Sequence, residues 1–286
     1  WKYSLTVQQY ADLSAVKEIL DAATAEKSTA RLQKNWKSIK IQHLNFSYED
    51  DDHRRHHLSD VSLTLERGKR IALVGESGSG KSTIMSLVRG LQTARSADVT
   101  CDGITLPEGL STLAHHVTLI PQEPEIFSNT IEYNVSVDTE QSEAELLKDI
   151  ELACFTSVLA RLPKGIHTDI SEKGVNLSGG EKQRLALARG IFAAKTSDII
   201  LLDEPTSSVD SVNELQIHKN IFSAFPDRAI VGSIHRLHLL PLFDEVVVLE
   251  KGKIVERGAP RELMHGSGLL ASMWKSYEAQ KESSAV

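Results

Sequence analysis

The spacing of hydrophobic positions changes along the chain, and each change marks a different kind of element. Between Leu5 and Leu20, Leu13, Val16 and Leu20 recur at helical intervals and a polar stretch from Thr24 to Lys34 follows, so a helix and then a linker are expected. Near Lys37 the period falls to two: Ile39, Ile41, Leu44 and Phe46, then Val61, Leu63 and Leu65, alternate with polar residues and predict antiparallel strands. A charged turn from Glu49 to His57 is expected between them. Ile71 to Val74 is a short apolar run that enters glycine-rich sequence and then a helical pattern through Ile84, Leu87, Val88 and Leu91, which reads as strand, loop and helix. Ile199 to Leu202 and Val246 to Leu249 supply further buried strands of the kind found in parallel α/β sheets. From about Glu143 to Ala193 helical patterns alternate with glycine-rich turns, as in a helical insert.

Composition narrows the partners. With 286 residues, 41% hydrophobic and 25% charged, the chain has the proportions of one large or two small globular domains. A formal charge of −7 argues against a nucleic-acid-binding surface spread over the whole molecule while leaving room for a local basic patch, and no nucleic acid is expected as a partner. Cys101 and Cys154 lie far apart and outside any CxxC spacing, so both read as inert buried thiols in a reducing setting. His53, His56 and His57 belong to the charged turn and read as solvated loop residues rather than metal ligands. No apolar run approaches the roughly 20 residues that cross a bilayer, and because the chain begins at Trp1 the natural protein is expected to start earlier.

Chemistry enters at the glycine-rich loop. Gly75, Glu76, Ser77, Gly78, Ser79, Gly80, Lys81, Ser82 and Thr83 match the P-loop pattern, with a strand before and a helix after. Glycines let successive N–H groups and a helix N-terminus wrap a phosphate chain. Lys81 is expected to reach the outer phosphates and Ser82 to offer a hydroxyl to Mg²⁺. Downstream, Asp203 and Glu204 end the apolar run Ile199 to Leu202, at the strand end where open α/β sheets bind ligands. Asp203 is the expected Mg²⁺ partner, directly or through water, and Glu204 the carboxylate that orients and deprotonates an attacking water.

Leu177-Ser178-Gly179-Gly180-Glu181 precedes a helical stretch carrying Gln183, Arg184, Leu187, Ala188 and Arg189. With this segment the chain resembles the ATP-binding domains of ABC transporters from about Trp36 to its C-terminus. Ser178, Gly179 and Gly180 are similar to the family signature, a second phosphate cradle at a helix N-terminus; Glu181 stands where many members have glutamine. The resemblance implies an α/β fold with a P-loop ATPase core built on a mixed sheet, an antiparallel β subdomain and an inserted α-helical subdomain. It divides the chain into a connector at 1–35 and an ATPase domain at 36–286, with the core at 36–121 and 192–286 and the helical subdomain at 122–191. It further implies that Tyr48 stacks on adenine, that Gln122 touches the metal site, that the loop Ser207-Ser208-Val209-Asp210 crosses a dimer interface, and that His235 hydrogen-bonds the γ-phosphate. Ligands are then ATP and Mg²⁺, and partners a second nucleotide-binding domain and transmembrane domains, at the cytoplasmic face of a membrane. Two segments resemble exporter forms in particular: Pro121 to Ile131, and Glu172-Lys173-Gly174 just before the signature. Soluble ABC proteins with tandem cassettes, and regulatory modules that bind without hydrolysing, are the alternatives. The chain carries neither a second cassette nor a long coiled-coil insert, and it has both Glu204 and His235.

Overall fold

A computed structural model describes residues 32–49, 55–123, 125–170 and 177–284. The helix expected between Leu5 and Leu20 and the Glu172–Gly174 segment lie outside the described residues.

Two sheets form the frame. β1 (Ser38–Glu49), β2 (Arg55–Glu66), β4 (Ser96–Cys101) and β5 (Ile104–Thr105) pair antiparallel in the order β2-β1-β4-β5. β3 (Arg70–Val74), β6 (Val117–Ile120), β7 (Ile199–Asp203), β8 (Ala229–Ser233), β9 (Glu245–Glu250) and β10 (Lys253–Gly258) make a six-stranded sheet in the order β10-β9-β3-β8-β7-β6, parallel except where β10 returns against β9.

Ile39 pairs with Leu65 and Ile41 with Leu63, so the period-two pattern puts these side chains on one buried face. The three-residue step from Ile41 to Leu44 breaks that alternation. A bulge absorbs it, with His43 at φ 52° and Asp60 opposite at φ 53°, and both Ile41 and Leu44 stay buried. β1 and β2 also run further than the sequence suggests: Ser47 pairs with His57, so the charged turn is shorter than Glu49 to His57.

The six-stranded sheet is apolar on both faces, as a covered parallel sheet must be. Ile200 and Leu202 of β7, Ile230 of β8 and Val246 and Val248 of β9 face one core, which the helical insert completes. Ile199, Leu201, Val231, Val247 and Leu249 face the other, shared with the antiparallel sheet. α1 (Lys81–Arg89) lies in that second core through Ile84, Met85, Leu87 and Val88. It stops earlier than the periodicity predicts: Gly90 takes the left-handed conformation, the amides of Gly90 and Leu91 turn back onto the carbonyls of Leu87 and Ser86, and Leu91 is left 64% exposed.

Between β6 and β7 run α3 (Ile131–Ser136), α4 (Glu143–Leu152), α5 (Thr156–Leu159) and α6 (Gly179–Ala194), after the short α2 (Leu110–Ala114) that precedes β6. α3 and α4 pack on α6. The subdomain boundary expected at 191 falls inside α6, which continues to Ala194. α7 (Ser211–Ala224), α8 (Pro260–Met264) and α9 (Leu269–Ser284) complete the first core. Cys101 is buried in β4, whereas Cys154 is half-buried rather than enclosed; burial raises the pKa of both thiols. No helix among the described residues is long and apolar enough to cross a membrane.

Candidate functional site

Parallel strands aim their carboxyl ends at one edge of a sheet, and here four of them deliver polar residues to that edge. β3 leads into Gly75 to Ser82, β6 into Gln122, β7 ends at Asp203 and Glu204, and β8 ends at Ser233, just before His235. Gly80 opens α1 with φ 110°, a left-handed backbone on which a Cβ would meet the Leu58 side chain at 2.6 Å. Lys81 is turned back into its own loop, where Nζ donates to the carbonyls of Gly75 at 2.8 Å and Glu76 at 3.2 Å. Burial lowers its pKa below the ordinary lysine value, against the opposing charges of Glu204 and Asp203. The Ser82 hydroxyl donates to Asp203 Oδ1 at 3.0 Å. Burial raises the Asp203 pKa and the Glu204 charge adds to it, while the Ser82 hydrogen bond and Lys81 oppose the rise.

Glu204 is the meeting point of the edge. Its backbone lies in the left-handed region at φ 46°, a conformation that a non-glycine residue adopts at a cost and that turns the chain sharply off β7. Ser233 Oγ donates to Glu204 Oε1 at 3.2 Å, His235 Nε2 stands 3.2 Å from the same oxygen, and Gln122 Nε2 donates to Oε2 at 3.4 Å. A cleft of about 400 Å³ opens here, lined by Ser77, Gln122, Glu204, Ser233, His235 and Arg236 among others.

These residues fit an anionic ligand carrying a hard cation. A hydroxyl and a carboxylate face each other at Ser82 and Asp203, which is oxygen chemistry suited to Mg²⁺. Within the P-loop, Ser79 Oγ is buried and has no hydrogen-bond partner among the described residues. Tyr48 is 39% exposed, with its ring 5.5 Å from that of Phe46. Its end of the β1–β2 hairpin is tied to the loop through the β9–β10 turn: the Ser59 amide donates to the Gly252 carbonyl and the Gly252 amide to the Ser79 carbonyl, each at 3.0 Å.

The signature segment lies on a different set of contacts. Ser178 is the N-cap of α6: its hydroxyl accepts from the Glu181 amide, and the Glu181 carboxylate accepts from the Ser178 amide at 2.8 Å. Glu181, in the sequence only a departure from glutamine, is therefore half of a capping box, and it also pairs with Arg161. Gly179 and Gly180 form the first turn, where backbone N–H groups lack intrahelical partners. A Cβ on Gly180 would come within 2.6 Å of the Ser208 carbonyl oxygen, so the signature turn lies directly on the 207–210 loop. Asp210 stands apart from the Glu204 cluster and caps α7, accepting from the amides of Val212 and Asn213 at 3.2 and 3.0 Å. Hydrogen bonds led by the Asn213 side chain hold its pKa below the ordinary aspartate value.

Three residues with no role assigned from the sequence organise this region. Gln183, one turn into α6, donates to the Gln122 carbonyl at 3.2 Å and to Ser207 Oγ at 2.7 Å, and accepts from the Ser208 amide at 2.8 Å. Arg189 donates to the carbonyls of Asn134 and Glu125 at 2.7 and 2.9 Å and lies 4.3 Å over the Phe127 ring, fastening the segment after Gln122 to α6. Ser233 holds the Glu204 carboxylate. The capping box was readable as Ser-x-x-Glu ahead of an apolar run; the Gln183 and Ser233 contacts join segments far apart in sequence and carry no local signal.

A family model described as "ABC transporter" matches residues 58–207. The ABC transporter aclQ of Aspergillus oryzae is 36% identical over 249 residues, covering 85% of this chain and 30% of that protein. An ATP-dependent lipid A-core flippase of Burkholderia pseudomallei is 35% identical over 237 residues, covering 82% of this chain and 39% of that protein. Among solved structures, a bacterial Atm1-family ABC exporter with ATP bound superposes with a TM-score of 0.78 at 31% identity, covering 94% of this chain and 47% of that one. The chain thus spans less than half the length of these relatives. With a family model over more than half of its residues and a P-loop, acidic strand end and signature turn in one framework, the chain belongs to the ABC transporter family, as its ATP-binding domain.

Proposed function

We propose that this chain hydrolyses ATP with Mg²⁺, and that in the full-length protein the reaction drives export of a substrate across a membrane through ATP-dependent pairing of two such domains. The observation that carries the reading is the convergence of Ser233, His235 and Gln122 on the Glu204 carboxylate, beside the Ser82–Asp203 pair. The exporter assignment is supported by the flippase and exporter relatives.

In this reading Lys81 exchanges the carbonyls of Gly75 and Glu76 for phosphate oxygens when ATP enters, and the amides of Gly75 to Thr83 wrap the phosphate chain. Tyr48 stacks on adenine. Ser82, Asp203 and Gln122 would hold Mg²⁺, which when bound draws charge from the phosphate oxygens. Glu204 is already aimed by Ser233 and His235, so its carboxylate orients a water for in-line attack and takes its proton. His235, 52% exposed at the cleft, hydrogen-bonds the γ-phosphate, and with Lys81 it offsets the charge that develops there.

Ser178, Gly179 and Gly180 of a second domain complete the site, and Asp210 marks the loop at that interface. Gln183 joins the signature helix to both the 207–208 loop and the backbone of Gln122, giving site closure a direct path to the segment that meets the membrane helices. Phosphate release from Mg–ATP tests the assignment: the native chain is expected to turn over and Glu204→Gln to bind ATP without turnover, whereas equal rates in both would overturn the role of Glu204.

A further inference from the structure

The loop expected at the domain interface is held from a second side by groups that no role above requires. Arg236 follows His235 directly, and its guanidinium spans the loop: Nη1 donates to the Val209 carbonyl at 2.7 Å and to Glu214 Oε2 at 3.0 Å, and Nη2 to the Ser207 carbonyl at 3.1 Å. Glu214, in the first turn of α7, is 4% exposed. Its other oxygen accepts from Thr206 Oγ1 at 2.9 Å. His238 Nε2 lies 3.5 Å from Oε2, but burial lowers the pKa of that imidazole, so the standing positive charge beside this buried carboxylate is Arg236.

We infer that Arg236 and Glu214 are positioning residues that lock the Ser207–Asp210 loop to the segment carrying His235, so that phosphate contact on one face and domain pairing on the other are mechanically joined. The inference rests on the two-domain reading above. A planar guanidinium with fixed donors serves three acceptors at once, and all three belong to the stretch from Ser207 to Glu214. With Gln183 gripping Ser207 and Ser208 from the signature helix, the loop is clamped between two elements and cannot follow one without pulling the other. A shift of His235 toward a γ-phosphate moves Arg236, the carbonyls of Ser207 and Val209, and with them the Asp210 cap.

The test uses the full chain in a Glu204→Gln parent, reading monomer affinity for ATP by nucleotide titration and ATP-induced pairing by sedimentation. Arg236→Ala is expected to raise the pairing dissociation constant about tenfold and to weaken monomer ATP affinity by a clearly smaller factor, because its three hydrogen bonds go to the Ser207–Glu214 stretch and not to the phosphate loop. Arg236→Lys should not restore pairing, because one ammonium cannot serve the three acceptors. Glu214→Gln keeps the Thr206 bond and should give a smaller loss. Should Arg236→Ala fail to fold, Arg236→Lys and Glu214→Gln carry the same comparison. Pairing as tight as in the parent, or losses of ATP affinity and pairing in equal measure, would overturn the inference. A parent that does not pair with ATP at all would overturn the two-domain reading and this inference with it.

Discussion

Ser82 Oγ meets Asp203 Oδ1 at 3.0 Å although 121 residues separate them in sequence. The contact joins the P-loop helix to the end of β7 and brings a hydroxyl and a carboxylate to one point. Replacing Asp203 by Asn keeps the hydrogen bond to Ser82 but removes the charge that a hard cation needs. Mg²⁺ dependence of ATP binding should then weaken by roughly 10- to 100-fold, read by titrating Mg²⁺ at fixed ATP; an unchanged Mg²⁺ midpoint would remove Asp203 from the metal site.

Gln183 predicts a different pattern. Gln183→Leu would leave the Ser208 amide and the Gln122 carbonyl without their side-chain partner in a half-buried setting. A loss of about 1–3 kcal/mol in urea unfolding is expected, with ATP hydrolysis falling further than ATP affinity because the phosphate loop is untouched. Hydrolysis that tracks affinity one for one would mean that the bridge serves only the fold.

Neighbouring glycines of the signature should differ sharply. A Cβ at Gly180 would meet the Ser208 carbonyl oxygen at 2.6 Å, whereas one at Gly179 would have ordinary contact with the Ser208 side chain at 3.9 Å. Gly180→Ala should therefore cost about 1–3 kcal/mol through overpacking against backbone and Gly179→Ala much less, as urea unfolding of the two variants would show. Equal stabilities would place the 207–210 loop further from α6 than described.

Stability should also report on His218. This imidazole is buried on α7, with Nδ1 donating to the Glu214 carbonyl at 2.9 Å and the rings of Phe222 and Phe243 at 6.0 and 6.4 Å. Burial lowers its pKa below the ordinary 6.5, only partly opposed by Glu214. The unfolded chain therefore takes up a proton near pH 6.5 that the folded chain refuses. Stability from this group is complete above that pH, begins to decline as pH falls past 6.5, and is lost once pH passes the folded value. The decline has a limiting slope of about 1.4 kcal/mol per pH unit. In unfolding measurements from pH 7.5 downward, His218→Leu should remove one proton's worth of that slope; an identical slope in the variant would contradict the buried neutral state.

Much of this was legible in the sequence because it is local. The P-loop, the acidic end of β7 and the signature turn are contiguous patterns whose flanking periodicity already says strand or helix. The bulge at His43 was not: the three-residue step from Ile41 to Leu44 passes as continued alternation, and only the strand pairing reveals it. Other features were not legible, for physical reasons. α1 ends at Gly90 because the left-handed cap overrides an apolar pattern that runs on to Leu91. β4 and β8 are short strands whose place is fixed by partners distant in sequence. The grip of Gln183, Ser233 and Arg236 on neighbouring loops depends on how strands are ordered in the sheet, and a polar residue inside an amphipathic helix or after a strand gives no sign of what it will touch.

A hydrolytic site completed by a second domain makes turnover depend on encounter between two chains, so the decisive measurement is steady-state ATP hydrolysis as a function of protein concentration, with Glu204→Gln in parallel. A specific rate that rises with concentration and vanishes in the variant is the predicted result. A specific rate independent of concentration, or one that survives the loss of the Glu204 carboxylate, would contradict it.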